Sequence, residues 1–452
     1  MSAAISKNAH LLEGNLWTGI LAFAVPIALT GMLQHLFNAA DLAIVGRYAG
    51  KEAMAAVGCN IPAVNLLVGL FVGLGMGVNV VVSHLTGAGN KEGVKSAVHT
   101  AIPAAFLLGL LIGCAACFFA DPLLGLMAVP DDVFEGAKSY FVIIFSGLPF
   151  VALCNVMSAI FVSRGETVKP LVCLVAGGTA NVALNVLFVC GMGMNVDGVA
   201  LATVIANGLS ALLMFAWLMR RNDDARVSPG CFKIVGSDLA KIVRIGLPSA
   251  VQGMVFSLSN ICVQAGINSL GADVVAASAA AFNVEIFHYF VLISFAQACT
   301  TYVGQNSGAG NRARCFDAIR TCMILDAIVI AGTCFFVLIF GRELIGIFNS
   351  EPAIADIGMV RLYYIVTPEL VNVPMEVLSG ALRGFGYASV PAAICMISIC
   401  GTRILWLLLV FPGRRNYETL MVCYPISWII ATIGITVSYF WLKPRLGIKR
   451  SV

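Results

Sequence analysis

Long apolar runs separated by short polar stretches repeat along the whole chain. They predict twelve helices at about 17–45, 53–83, 97–119, 139–162, 170–193, 197–219, 245–269, 275–303, 320–341, 358–382, 391–411 and 420–442, most of them long enough to cross ~30 Å of hydrocarbon. Leu171–Val196 carries no charged residue. The expected fold class is therefore an all-α integral membrane protein with twelve transmembrane helices.

Composition sharpens this. Only 11% of the 452 residues are charged and 60% are hydrophobic, against ~25% charged in soluble domains. A soluble fold could not hide that much apolar surface. The start, MSAAISKNAHLLEGN, lacks the short apolar core and small-residue site of a cleavable signal, so the first run is expected to stay as a helix.

Charge sets an orientation. With the N-terminus inside, the inner segments carry nineteen Lys and Arg residues. The outer ones carry seven: Arg47, Lys51, Lys138, Arg342, Arg361, Arg414 and Arg415. Excess basic residues mark the cytoplasmic side. Both termini are thus expected in the cytoplasm, with the protein in the cell (inner) membrane.

The chain also repeats itself. Gly87-Ala88-Gly89-Asn90 recurs 221 residues on as Gly308-Ala309-Gly310-Asn311, and Gly50, Ala55 and Ala56 recur as Gly271, Ala276 and Ala277. Pro26 and Pro248 match at 222. Pro149 and Pro368, and Arg164-Gly165 and Arg383-Gly384, match at 219. Collinear matches of this kind indicate a duplication. Six helices separate equivalent positions, so the halves run in the same direction, as in parallel-repeat transporters. The expected lobes are residues 1–222 and 245–452, joined by a polar, basic cytoplasmic linker at 223–244 that contains Pro229 and Gly230.

Ionisable and amide residues within apolar helices are costly and point to function. Gln34, Asn38 and Asp41 share one face of the first helix. Low polarity disfavours a charged carboxylate, so Asp41 is a candidate for proton exchange; with amide oxygens nearby it could instead ligate a hard cation. The bland alternative makes Asp41 an exposed residue at a helix end. Asn181 and Asn185 lie one turn apart on the fifth helix, and Thr203 is on the sixth. Interhelical hydrogen bonding is the structural alternative for the Asn pair.

In the second half, Glu369, Asn372 and Glu376 share a face of the tenth helix, with Arg383 a heptad after Glu376. Glu285 and His288 lie three apart on the eighth. Their alternatives are an ion pair from Glu376 to Arg383 and a core role for His288. Pro26 and Pro248 fall inside helices, where proline removes a hydrogen bond and commonly kinks. No P-loop, GxSxG or HExxH is present, so no enzyme is expected and transport energy must come from a gradient. The CxxC of Cys114 and Cys117 lacks a second pair at zinc spacing, so neither metal nor cofactor is expected.

The run PIALTGMLQHLFNAADLAIVGRYAGKEAMAAVG (26–58), with VSHLTGAGN, VGQNSGAGN and ALRGFG, resembles MATE (multidrug and toxic compound extrusion) transporters of the MOP flippase superfamily, of the bacterial DinF-like and NorM-like kind. The resemblance covers nearly the whole chain. It implies two six-helix lobes and efflux of amphipathic, mostly cationic compounds in antiport with protons or sodium. It also implies a coupling set at Asp41, Asn181, Asn185 and Thr203. Asn185 stands where some relatives carry an acid, which favours protons over sodium. A substrate cleft would draw on Gln34, Asn38, Glu285, His288, Glu369, Asn372 and Glu376. Expected partners are small organic substrates, the coupling ion and membrane lipids, without nucleic acid, and the protein is expected to be a monomer. The rival reading is a flippase for a lipid-linked precursor, whose cleft should be rich in Arg and Lys. A channel suits the two-lobed repeat less well.

Overall fold

The structure, a computed structural model, describes residues 11–127, 129–349 and 351–446. Lys7, Lys449 and Arg450, counted above in the tails, lie outside them. The described residues form helices and no strands. Nine of the helices are long and apolar enough to cross a membrane, and the bent pair Phe134–Ser146 and Leu148–Ser163 makes a tenth span. Leu16–Gly87, counted there as one, holds two spans that meet at Gly50, where φ is +89°. The twelfth is Pro352–Val366 with Glu369–Gly384, less apolar because Arg361, Glu369, Glu376 and Arg383 sit within it. In chain order, the fifth span is Val168–Gly191, the sixth Val196–Met219, the eighth Ala272–Gly308, the ninth Arg312–Gly346 and the last Tyr417–Arg445.

The duplication has a backbone basis. Both Gly-Ala-Gly-Asn runs end one helix and start the next. Gly89 (φ +67°) and Gly310 (φ +76°) adopt the left-handed conformation that glycine takes without strain. Asn90 and Asn311 then cap the following helices, accepting from the amides of Gly93 at 2.9 Å and Arg314 at 3.2 Å. Gly50 and Gly271, and Gly165 and Gly386, also pair as positive-φ glycines 221 residues apart. This corrects one sequence match: Gly165 corresponds to Gly386, not Gly384. The turn hydrogen bonds agree, Glu166 N to Phe161 O and Tyr387 N to Leu382 O. The similarity of the two Arg-Gly pairs is therefore two residues out of register.

Two compact units form. One combines the chain up to Ala28 with the chain from Val251, and the other is Leu29–Ala250. Each handover lies two residues past a proline, Pro26 or Pro248, inside a helix.

The linker after Met219 is held by charge. Arg221 bonds Glu166 and Asp223, and Arg164 bonds Asp223 and Asp224. Burial alone would raise the Asp223 carboxyl, but Arg221, with Arg164 and the Ala225 amide, outweighs it and holds the pKa at about 2. Asp223 thus stays ionised throughout the physiological range.

Candidate functional site

The first, fifth and sixth spans approach closely because two glycines leave room. A Cβ at Gly177 would collide with Ser210 Oγ, and one at Gly178 with the Phe37 ring. Ser210 Oγ also donates to the Cys173 carbonyl at 3.1 Å. One turn beyond these contacts, Asn181 and Asn185 face Asp41 and Thr203.

Asp41 lies within Leu16–Ile44 and is half-buried, so it is not an exposed loop residue. Asn185 Nδ2 donates to its Oδ1 at 2.6 Å. Thr203 Oγ1 lies 3.4 Å from its Oδ2. Asn181 Nδ2 donates to Thr203 Oγ1 at 3.3 Å, and Asn185 Nδ2 also donates to Asn181 Oδ1 at 3.3 Å. The Asn pair therefore makes interhelical bonds and also surrounds the carboxylate.

Thr203 has one hydroxyl hydrogen and a nearer acceptor, the Val199 carbonyl at 3.0 Å. With that hydrogen on Val199, the hydroxyl faces Asp41 Oδ2 as an acceptor. A protonated Asp41 can then donate to it, so the neutral acid is also satisfied. Asn185 Oδ1 is buried without a hydrogen-bond partner among the described residues.

Two π-helical turns flank the site. Val45–Ala49 follows Asp41 by four residues, and Val186–Gly191 follows Asn185 directly; the two turns pack together. Such turns recur at functional sites. Tyr140, on the fourth span, lies within electrostatic reach of Asp41 and was not singled out from sequence. Gln34 and Asn38 are exposed and form no hydrogen bond to the cluster, although they share its helical face.

The second half has no counterpart to this site. At the 221-residue offset, Asp41, Asn185 and Thr203 become Cys262, Trp406 and Tyr424. Its polar residues are arranged differently. Arg361, counted from sequence with the outer segments, is buried in Pro352–Val366 and forms a two-pronged pair with Glu285 at 2.9 and 2.6 Å. Its Nη1 donates to Ser278 at 2.7 Å. Glu285 is thus fully engaged by a guanidinium.

His288 is buried, with Nδ1 2.7 Å from Thr333 Oγ1 and Nε2 3.8 Å from Glu369. Glu376 makes no ion pair with Arg383 among the described residues; Arg383 donates to Gln252 at 3.1 Å. Asn372 is buried beside them on the same helix. Sequence reasoning missed Asp326 on the ninth span. It is fully buried, both its oxygens lack partners among the described residues, and Glu369 and Glu376 are its acidic neighbours. The signal was available, a lone acid in the apolar stretch Met323–Ile330.

The MatE family model matches residues 26–187 and again 248–408, in step with the duplication. The chain is 25% identical over 446 residues to the probable multidrug resistance protein YoeA of Bacillus subtilis, covering 97% of this chain and 96% of that protein. It is 26% identical over 390 residues to the probable multidrug resistance protein NorM of Thermotoga maritima, covering 85% and 83%. A solved MOP superfamily transporter from Pyrococcus furiosus shares the fold, with a TM-score of 0.87 at 21% identity over 97% of this chain and 98% of that one.

Proposed function

This chain belongs to the MatE family of membrane transporters, and on that premise we propose that it exports amphipathic, mostly cationic organic compounds in exchange for protons. It is a transporter, not an enzyme. Asp41 takes up and releases the coupling proton, and Asn181, Asn185 and Thr203 hold its carboxyl in place. Export of organic compounds follows the relatives named for multidrug resistance. The buried acids Asp326 and Glu369 support a preference for positive charge.

The observation that carries the proton reading is the direction of the hydrogen bonds at Asp41. Asn185 aims an N–H at the carboxylate. A sodium ion needs oxygens aimed at it, several of them, and gains from added carboxylates. A cation here would require the Asn185 amide to turn around. A proton needs only the Thr203 hydroxyl already facing Oδ2. We therefore expect Asn185→Asp, which adds a second carboxylate, to raise the dependence of efflux on sodium. Unchanged ion dependence in that variant would count against Asn185 as a determinant of the coupling ion.

The rival flippase reading draws on buried arginines. Such residues are few: Arg361 is paired with Glu285, and Arg403, the clearest of them, is buried against Asn260 at 2.9 Å and the rings of Phe256 and Tyr424. The Arg- and Lys-rich lining that reading needs is therefore not seen among the described residues.

The orientation follows the basic-residue bias, which strengthens once Arg361 leaves the outer count. Cysteine labelling is expected to find the Arg220–Arg244 linker accessible from the cytoplasm only. Labelling from outside would reverse the orientation.

A further inference from the structure

A groove of about 450 Å³ runs between the ninth span, Glu369–Gly384 and the last span. Ile319, Met323, Pro374, Leu378 and Thr436 line its walls, and among the described residues lining it only Arg320 and Lys443 are charged. Arg320 is exposed and has no ion-pair or hydrogen-bond partner among the described residues. Lys443 Nζ sits between the rings of Phe316 and Phe440 at 5.5 and 5.6 Å. Arg312 stacks over Phe316 at 5.6 Å and donates to the Lys443 carbonyl at 2.9 Å. Arg445 lies 5.3 Å over Trp441, which is 68% exposed.

Basic residues beside exposed aromatics at one end of a span mark a membrane–water interface. From Lys443 back to Thr432 the last span covers about 16 Å, close to the depth of one leaflet's hydrocarbon. The groove is thus cationic at the interface and apolar below it, open to the bilayer and without an acid among the described residues that line it. Both lipid classes carry a phosphodiester anion, but in a zwitterionic headgroup choline's own cation offsets it, whereas a headgroup of net negative charge is complementary to two protein cations.

We propose that this groove binds one anionic phospholipid of the leaflet on the C-terminal side. Its phosphate pairs with Arg320 and Lys443, and an acyl chain lies along Pro374, Leu378 and Thr436. The proposal stands apart from the coupling site at Asp41, in the other compact unit, and needs only a membrane-embedded protein.

Native mass spectrometry of the full chain in detergent tests it, with phosphatidylglycerol and phosphatidylcholine of identical acyl chains as probes. One phosphatidylglycerol is expected to be retained about tenfold better than phosphatidylcholine. Arg320→Gln/Lys443→Gln should abolish that preference. Thr436→Trp, which fills the apolar part and leaves both charges, should reduce retention of phosphatidylglycerol. Equal retention of the two lipids by the unmodified protein overturns the proposal. So does a preference that survives in both variants. A melting temperature measured on each variant separates lost lipid from lost fold, and Thr436→Trp decides the matter if the double variant is unstable.

Discussion

Asp41→Asn is expected to reduce gradient-driven efflux to the background leak while leaving the protein folded and inserted. The substitution preserves size and hydrogen bonding. The new amide can present its oxygen to Asn185 Nδ2 and its nitrogen to Thr203 Oγ1, replacing the contacts now at 2.6 and 3.4 Å. What it removes is the ability to bind and release a proton near neutral pH. A variant that only lost packing would instead melt earlier and transport in proportion to the folded fraction. Efflux from proteoliposomes, with a melting curve in the same detergent, separates the two. Unimpaired pH-driven efflux in this variant removes Asp41 from the mechanism.

Glu285→Ala is expected to have the largest effect on stability. Its partner Arg361 is 5% exposed and lies 5.6 Å from the Phe282 ring and 6.0 Å from that of Tyr424. Removing one member of a buried pair leaves an uncompensated charge, at about 3–5 kcal/mol. Replacing both members by apolar residues, as in Glu285→Leu with Arg361→Met, should recover most of that loss, because no charge is then left behind. Thermal unfolding in detergent measures both. A Glu285→Ala protein that melts like the parent but no longer transports would return Glu285 to the substrate cleft, where its sequence position first suggested it.

Much of this was legible in the sequence, for identifiable reasons. Spanning helices need long apolar runs, so the runs marked them. Asp41 and the three residues around it lie on helix faces fixed by 3.6-residue periodicity, and the resemblance named the same four. What failed needed three-dimensional information. The burial of each residue on a face needed it too: Gln34 and Asn38 are exposed where Asp41 is half-buried, because helical phase does not say how far a neighbouring helix extends. Arg361 was read as an outer-side charge because its buried partner Glu285 is 76 residues away. The tenth helix was expected to be continuous, but it breaks at Thr367–Pro368, where proline disfavours helix in the preceding residue. The Arg-Gly match misled because identical dipeptides occur two residues off the true register, which the left-handed glycines define.

The most direct test of proton coupling at Asp41 is substrate efflux from proteoliposomes holding the unmodified protein, under an imposed pH gradient in sodium-free buffer and then under a sodium gradient at equal pH. The predicted result is efflux under the first condition that does not increase under the second. Efflux that requires sodium and ignores the pH gradient would contradict it, and would move the search for the coupling site to Asp326, Glu369 and Glu376.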